Sequence, residues 1–400
     1  MFEGEIVMAK KMKKIAVFTG TRAEYGLLYL ILQGLKSNSK IDLQLLVGGT
    51  HLLTDFGYTV KHIINDGFIV SEKLDYLLAS DSPLGISKSL ARATTAAAEI
   101  FANNKPDLLV LLGDRFEALA LAQAAMIARV PIAHIHGGEL TEAAMDDSIR
   151  HAITKMSHLH FTSTEVYRQR LLQLGEQPDT VFNVGAPGID NIVKLPLLSK
   201  EHLAQQLKID LSSAYFLVTY HPETLSHKSA NESLKNLLVA FEAYPNYKIV
   251  ITYPNADMYG RELIGTLESF AKNNKERVFV FESIGQINYL SAMKYSSLVI
   301  GNSSSGIIEA PSFHVPTVNV GDRQKGRLAS ETVVNCNDEV VEIINAIKWA
   351  LSENFKQQTL QAKNPYGEGD ACPKIVERLI NHEIKTLNKP FYDIKFDHIL

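Results

Sequence analysis

The chain has 400 residues, 46% of them hydrophobic and 21% charged, and 40 basic against 44 acidic side chains leave a net charge of −4. This is globular composition too long for one small core, so two domains are expected. The charge balance offers no basic face for nucleic acid or acidic lipid, and no apolar run approaches the roughly 20 residues that span a bilayer. Two cysteines, Cys336 and Cys372, cannot form a disulfide framework, so a cytoplasmic protein with reduced thiols is expected.

Residues 1–12 end in a lysine-rich cluster and read as a loose extension ahead of the first strand, not as a signal peptide. Lys13–Gly20 is a strand ending in glycine, followed by a helix over Tyr25–Leu35 and a second strand over Ile41–Val47. Asp107–Leu112 is the next strand, with a helix over Phe116–Ala128, and Pro131–Ile135 and His158–Thr162 complete the first set. The pattern restarts at Tyr215–Thr219 and continues through Tyr247–Thr252, Val278–Phe281, Leu298–Gly301 and Thr317–Val320. Near-continuous apolar strands alternating with helices predict parallel sheets covered on both faces. The expected fold is α/β, with two Rossmann-like doubly wound domains, 13–186 and 187–400, around a central cleft. The crossing lies near Gly185–Lys200, and the C-terminal segment is expected to pack back on the first domain.

Ligands of such sheets bind beyond the carboxyl ends of the strands, and the polar clusters fall there. Gly20-Thr21-Arg22-Ala23-Glu24-Tyr25-Gly26 opens a helix after the first strand, where Arg22 offers a fork of donors to a phosphate or serves as an ordinary surface arginine. Asp114-Arg115 ends another strand and reads alone as a salt bridge or cap. His134 and His136 are too few for a metal site. They are followed by Glu139 and by Asp146-Asp147 with Arg150 one turn on. In the second half His221 stands before Pro222, and Gly301-Asn302-Ser303-Ser304-Ser305-Gly306 makes a helix start suited to a pyrophosphate, with Glu309 placed to accept from a ribose. Arg323, Lys325 and Arg327 end the next strand as neighbours of a diphosphate.

Together these clusters resemble the UDP-N-acetylglucosamine 2-epimerases, most closely the hydrolysing branch that forms N-acetylmannosamine for sialic-acid-type sugars. The resemblance runs from GTRAEYG through HIHGGE, DDSIRHAITKMSHLHFTSTE, YHPETLS, GNSSSGIIEAPS and VNVGDRQKGR to Asn364-Pro365-Tyr366. It implies the GT-B fold, a homo-oligomer (dimer or tetramer), and no metal or cofactor. It also implies that Arg22, His221, Asn255, Ser303, Ser304, Glu309 and Arg323 hold UDP. Asp114, the acid of the Asp146-Asp147 pair and the residue at 136 would work on the sugar, with Arg115 and Arg150 nearby. Many relatives carry glutamate where this chain has His136, so the second acid/base role falls to His136 or to Glu139. Leu27 stands where some relatives have lysine.

A C2 proton on a sugar is not acidic, so loss of UDP comes first. An acid residue, Asp114 or Asp146, then removes the C2 proton to give a glycal, and a proton returned to the opposite face with water at C1 gives the epimer. A UDP-2,4-diacetamido-trideoxyhexose is the alternative substrate. A GT-B glycosyltransferase is the alternative class.

Overall fold

The computed structural model describes residues 12–80, 82–142, 144–223, 229–254 and 260–395. The first eleven residues, expected to be a loose extension, lie outside them, as does Asn255. The first sheet contains β1 (Lys13–Thr19), β2 (Ile41–Gly48), β3 (Val70–Leu74), β4 (Leu108–Leu112), β5 (Ile132–Ile135), β6 (Leu159–Thr162) and β7 (Val181–Asn183). Its order is β3-β2-β1-β4-β5-β6-β7, with every pairing parallel. The second contains β8 (Tyr215–Thr219), β9 (Lys248–Thr252), β10 (Val278–Phe281), β11 (Leu298–Gly301), β12 (Thr317–Val320) and β13 (Val333–Cys336). These run β10-β9-β8-β11-β12-β13, again all parallel. In both sheets the order reverses beside the first strand, between β1 and β4 and between β8 and β11, which opens a crevice at the carboxyl ends.

The central strands of each sheet are buried on both faces. Ile15, Val17, Leu45 and Val110 pack against Leu28 and Leu32 of helix Arg22–Lys36, while Ala16, Phe18, Leu109 and Leu111 face helices Pro83–Asn103 and Phe116–Ile127. Helix Arg22–Lys36 starts tightly because Thr21 and Glu24 form a capping box. Thr21 Oγ1 accepts from the Glu24 amide at 3.2 Å, and Glu24 Oε2 accepts from the amides of Gly20 at 2.7 Å and Thr21 at 3.1 Å. The first turn is thereby pinned directly above β1.

The chain's end returns to the first domain. Asp190 accepts from the amides of Ala371 at 2.8 Å and Cys372 at 3.1 Å, which starts helix Ala371–Asn381. That helix sends Cys372, Ile375 and Leu379 into the core built on β1 and β2. Farther on, Lys389 reaches the buried Glu176 at 2.8 Å and the Tyr392 amide donates to the Gly175 carbonyl. Among the described residues no helix is long and apolar enough to cross a membrane.

Ile375 is fully buried in a core whose members outside its own helix lie far earlier in the chain. Ile375→Ala is therefore expected to lower stability by about 2–5 kcal/mol, read as a shift of the urea midpoint, and to increase amide exchange in β1 and β2. An unchanged midpoint would show that the last helix is not part of the first domain's core.

Candidate active site

The carboxyl ends of the two sheets face one cavity. The segment after β1 lines it with Thr21, Glu24 and Leu27, the turn after β4 with Asp114 and Arg115, and the segment after β5 with His136, Thr141 and Asp146. The second domain adds Ser304, Glu309, Arg323, Gln324 and Arg327, and Gly188 closes one side. Eight candidate site residues named from the sequence thus meet here: Asp114, Arg115, His136, Asp146, Ser304, Glu309, Arg323 and Arg327.

The end of β5 decides what faces the cleft. His134 is still in the strand and fully buried. Its Nε2–H donates to the Gly113 carbonyl at 2.7 Å and its Nδ1 accepts from Thr154, while burial lowers its pKa to about 3. His136 leaves the strand with φ 68°, a left-handed conformation that costs a non-glycine residue about 1–2 kcal/mol. Gly138 then turns with φ 83°, and a Cβ there would come within 2.5 Å of Leu171 and 2.6 Å of the Tyr167 carbonyl. The turn folds Glu139 back beneath His136.

Glu139 is only 2% exposed, and it does not face the cavity. Its Oε1 accepts from His136 Nδ1 at 2.5 Å and from Ser163 Oγ at 2.8 Å, and its Oε2 pairs with Arg327 at 2.7 Å. Burial pushes this carboxyl up, but Arg327, His136 and Arg150 together outweigh it and hold the group well below the usual carboxylate range. A carboxylate can only accept, so the proton lies on His136 Nδ1. Nε2 is left for the cleft.

Arg150 is likewise a buried support. It donates to Asp114, to the Glu139 carbonyl at 2.9 Å, to Thr141 Oγ1 at 3.1 Å and to Asp147 at 3.3 Å. Burial raises the Asp114 carboxyl, and the guanidinium charges of Arg150 and Arg327 bring it below its ordinary value, so it is ionised at neutral pH. The two adjacent acids divide. Asp147 accepts from the Thr141 amide at 2.7 Å and lies 3.5 Å from His151, whereas Asp146 faces the cavity 3.9 Å from Arg323. Arg115 donates from Nε to the buried Glu117 at 2.7 Å. Glu24 beside it is raised to about 8 by burial and by the Glu117 charge.

In the second domain Asn302 organises the turn. Its Oδ1 accepts from the His221 amide at 2.7 Å, its Nδ2 donates to the His221 carbonyl, and its own carbonyl accepts from Arg323 and Gln324. Ser303 caps helix Ser304–Ile308, which has only five residues, so a phosphate here would meet the first-turn amides with little macrodipole behind them. Arg22 reaches across to Ser283 Oγ at 3.1 Å. Arg22, His221 and Ser303 are not among the residues that line the cavity. Burial raises Glu309 to about 7 against the pull of His136 and Arg327. Glu309 also leans over Gly188, where a Cβ would lie 2.4 Å from its Oε1. Among the described residues no three His, Cys, Asp or Glu side chains are grouped to hold a metal ion.

Arg327, expected beside a diphosphate, lines the cavity, and its guanidinium is paired with the buried Glu139. Glu24, Thr141, Ser163 and Gln324 carried no separate signal. Glu24 reads as a helix-capping residue, and the others gain their roles only from tertiary packing.

Two parallel doubly wound sheets with polar groups gathered between their carboxyl ends define the GT-B-like class of α/β proteins. The profile of the UDP-N-acetylglucosamine 2-epimerase family matches residues 33–380. The GDP/UDP-N,N'-diacetylbacillosamine 2-epimerase (hydrolyzing) of Campylobacter jejuni is 38% identical over 96% of this chain and 99% of its own. The polysialic acid biosynthesis protein P7 of Escherichia coli is 40% identical over 96% and 98%. A crystal structure of the UDP-GlcNAc 2-epimerase of Neisseria meningitidis bound to UDP-GlcNAc superposes with a TM-score of 0.79 at 22% identity, covering 93% of this chain and all of that one. The chain belongs to the UDP-N-acetylglucosamine 2-epimerase family.

Glu309 titrates near 7 in the folded protein against an ordinary 4.5, so its ionisation costs stability as pH rises through that window. Glu309→Gln removes this cost. The ligand-free variant is expected to exceed the wild type by on the order of 1–3 kcal/mol at pH 8, since one pKa unit is worth about 1.4 kcal/mol. The gain should vanish below pH 4.5. Urea midpoints at pH 4 and 8 that differ equally would contradict the assignment of a raised Glu309.

Proposed function

We propose that the chain is a hydrolysing UDP-N-acetylglucosamine 2-epimerase, converting UDP-GlcNAc and water to N-acetylmannosamine and UDP. The observation that carries this reading is the meeting of Asp114, His136 and Asp146 with Glu309, Ser304 and Arg323 in one cavity of a family member. Proton-transfer groups stand on one side and nucleotide-binding groups on the other. A second reading has specific support: the C. jejuni relative and a 33% identical Legionella pneumophila relative are both named for N,N'-diacetylbacillosamine. On that reading the substrate is the UDP-2,4-diacetamido sugar and the chemistry is unchanged.

In the proposed reaction Glu309 accepts from the ribose hydroxyls, and Arg323 and the Ser304 turn receive the diphosphate, with Arg22, His221, Ser303 and Asn255 completing the UDP site. The C1–O bond breaks toward UDP, and Arg323 stabilises the charge that develops there. The positive centre at C1 acidifies C2. Asp114, kept ionised by Arg150, takes the C2 proton and a glycal forms. His136, protonated on Nε2 as well as Nδ1 at this step, returns the Nε2 proton to the opposite face of C2 while water adds to C1; the water's proton reloads His136 and the proton on Asp114 leaves with UDP, which balances the overall hydrolysis. Asp146, which lines the cavity 3.9 Å from Arg323, handles the proton of the incoming water. Glu139 acts through His136 and not on the sugar.

Asp114→Asn is expected to lower kcat about 10²–10⁴-fold, the usual worth of a general acid or base, with UDP affinity retained. His136→Gln should fall in the same range. In heavy water the free sugar should carry one deuterium at C2. Mass spectrometry of products from purified protein with each UDP-sugar decides between the two substrates. A product that keeps the substrate's own C2 hydrogen would end the elimination reading, and near-normal turnover in Asp114→Asn would end the role given to that residue.

A further inference from the structure

Arg327 comes from the second domain, yet its buried guanidinium is committed to a carboxylate of the first. Its side chain is 6% exposed and Glu139's 3%, with 2.7 Å between them. The segment that carries it is seated on the first domain by further bonds. The Leu328 amide donates to Tyr167 Oη at 2.8 Å, and the Glu142 amide donates to the Lys325 carbonyl. The same segment holds Arg323, which faces the cavity. A guanidinium placed to neutralise a diphosphate would turn its fork to the cleft. This one is turned to Glu139.

We propose that Arg327 is a positioning residue: by clamping Glu139 from across the interdomain boundary it fixes the tautomer and direction of His136, so that the proton-transfer end of the cleft is competent only when the segment bearing Arg323 is seated. The proposal rests on the reading of the cleft as a 2-epimerase site. Glu139 Oε1 is already taken by His136 and Ser163, and among the described residues Arg327 alone holds Oε2. Without Arg327 a buried oxygen loses its partner, and the carboxylate is free to rotate or to take a proton. Either change releases His136 Nδ1 and lets both imidazole tautomers form. The charged groups around His136 are Glu139 on its own loop, Glu309 from the second domain, Arg327, and the Arg150–Asp114 pair behind.

The test uses the full chain as wild type, R327M, R327K, E139Q and the R327M/E139Q double variant, which removes both members of the buried pair together. Nitrogen-15 spectra of histidine-labelled protein, with His136 assigned from H136Q, report its tautomer without any need for turnover. Wild type and R327K are expected to show the Nδ1–H form, and R327M and the double variant a mixture of tautomers. R327M should lose about 10–100-fold in kcat with UDP affinity within twofold, and the double variant should lose no more than E139Q alone. If R327M does not fold, the double variant carries the same comparison. A folded R327M or double variant with the Nδ1–H tautomer and wild-type kcat and pH profile would overturn the proposal. A wild type that releases UDP from neither UDP-sugar would instead overturn the epimerase reading, and the tautomer comparison would still judge Arg327.

Discussion

A carboxylate shut away from water must be matched by charge and hydrogen bonds, or it costs several kcal/mol. Glu139 is that group here, and meeting its needs orders much of the structure around it. It takes a histidine and a serine from the first domain and an arginine from the second. The tight Gly137-Gly138 turn exists to bring it under His136, and the arginine ties the two domains together at that point. Removing any one partner leaves the others with an uncompensated charge.

The same logic separates groups that face the cleft from groups that hold them there. His134 and His136 stand two apart, but the strand ends between them, so one is a neutral core residue and the other is presented to the cavity. Asp146 and Asp147 are neighbours on a helix, about 100° apart in azimuth, and that angle sends one to Arg323 and the other to Thr141, His151 and Arg150. Arg323 and Arg327 lie one helical turn apart in number and serve opposite sides of the boundary. Residues of one chemical type, a few positions apart, have been given different work by backbone direction alone.

Much of the fold is legible in the residues because parallel strands buried on both faces leave long apolar runs. The strand starts and ends at β1, β2, β4, β5, β8 and β11 agree to within a residue or so. Strand β3 was not legible: Val70–Leu74 is a largely exposed edge strand with three charged or polar residues in its middle. Helix Pro83–Asn103 buries mainly alanine and other small residues, so its stripe is faint in the sequence. In the site, Asp114, His136, Asp146, Glu309 and Arg323 were legible because each follows a strand end. The support roles of Glu139, Arg150 and Arg327 were not. Each depends on a partner brought near only by folding, and a buried guanidinium looks in sequence like an exposed one.

The bond that breaks is the most direct question to ask of the cleft. If diphosphate-binding groups stabilise a departing UDP while the sugar's C1 carries the positive charge, the C1–O bond is cleaved and the UDP keeps its own oxygen. Turnover in oxygen-18 water, followed by mass spectrometry of the released UDP, should therefore give UDP with no heavy oxygen, alongside free epimerised sugar. UDP that gains an oxygen-18 atom would place the cleavage at phosphorus, and a product still joined to UDP would show that no hydrolysis occurs; either result would contradict the proposed chemistry.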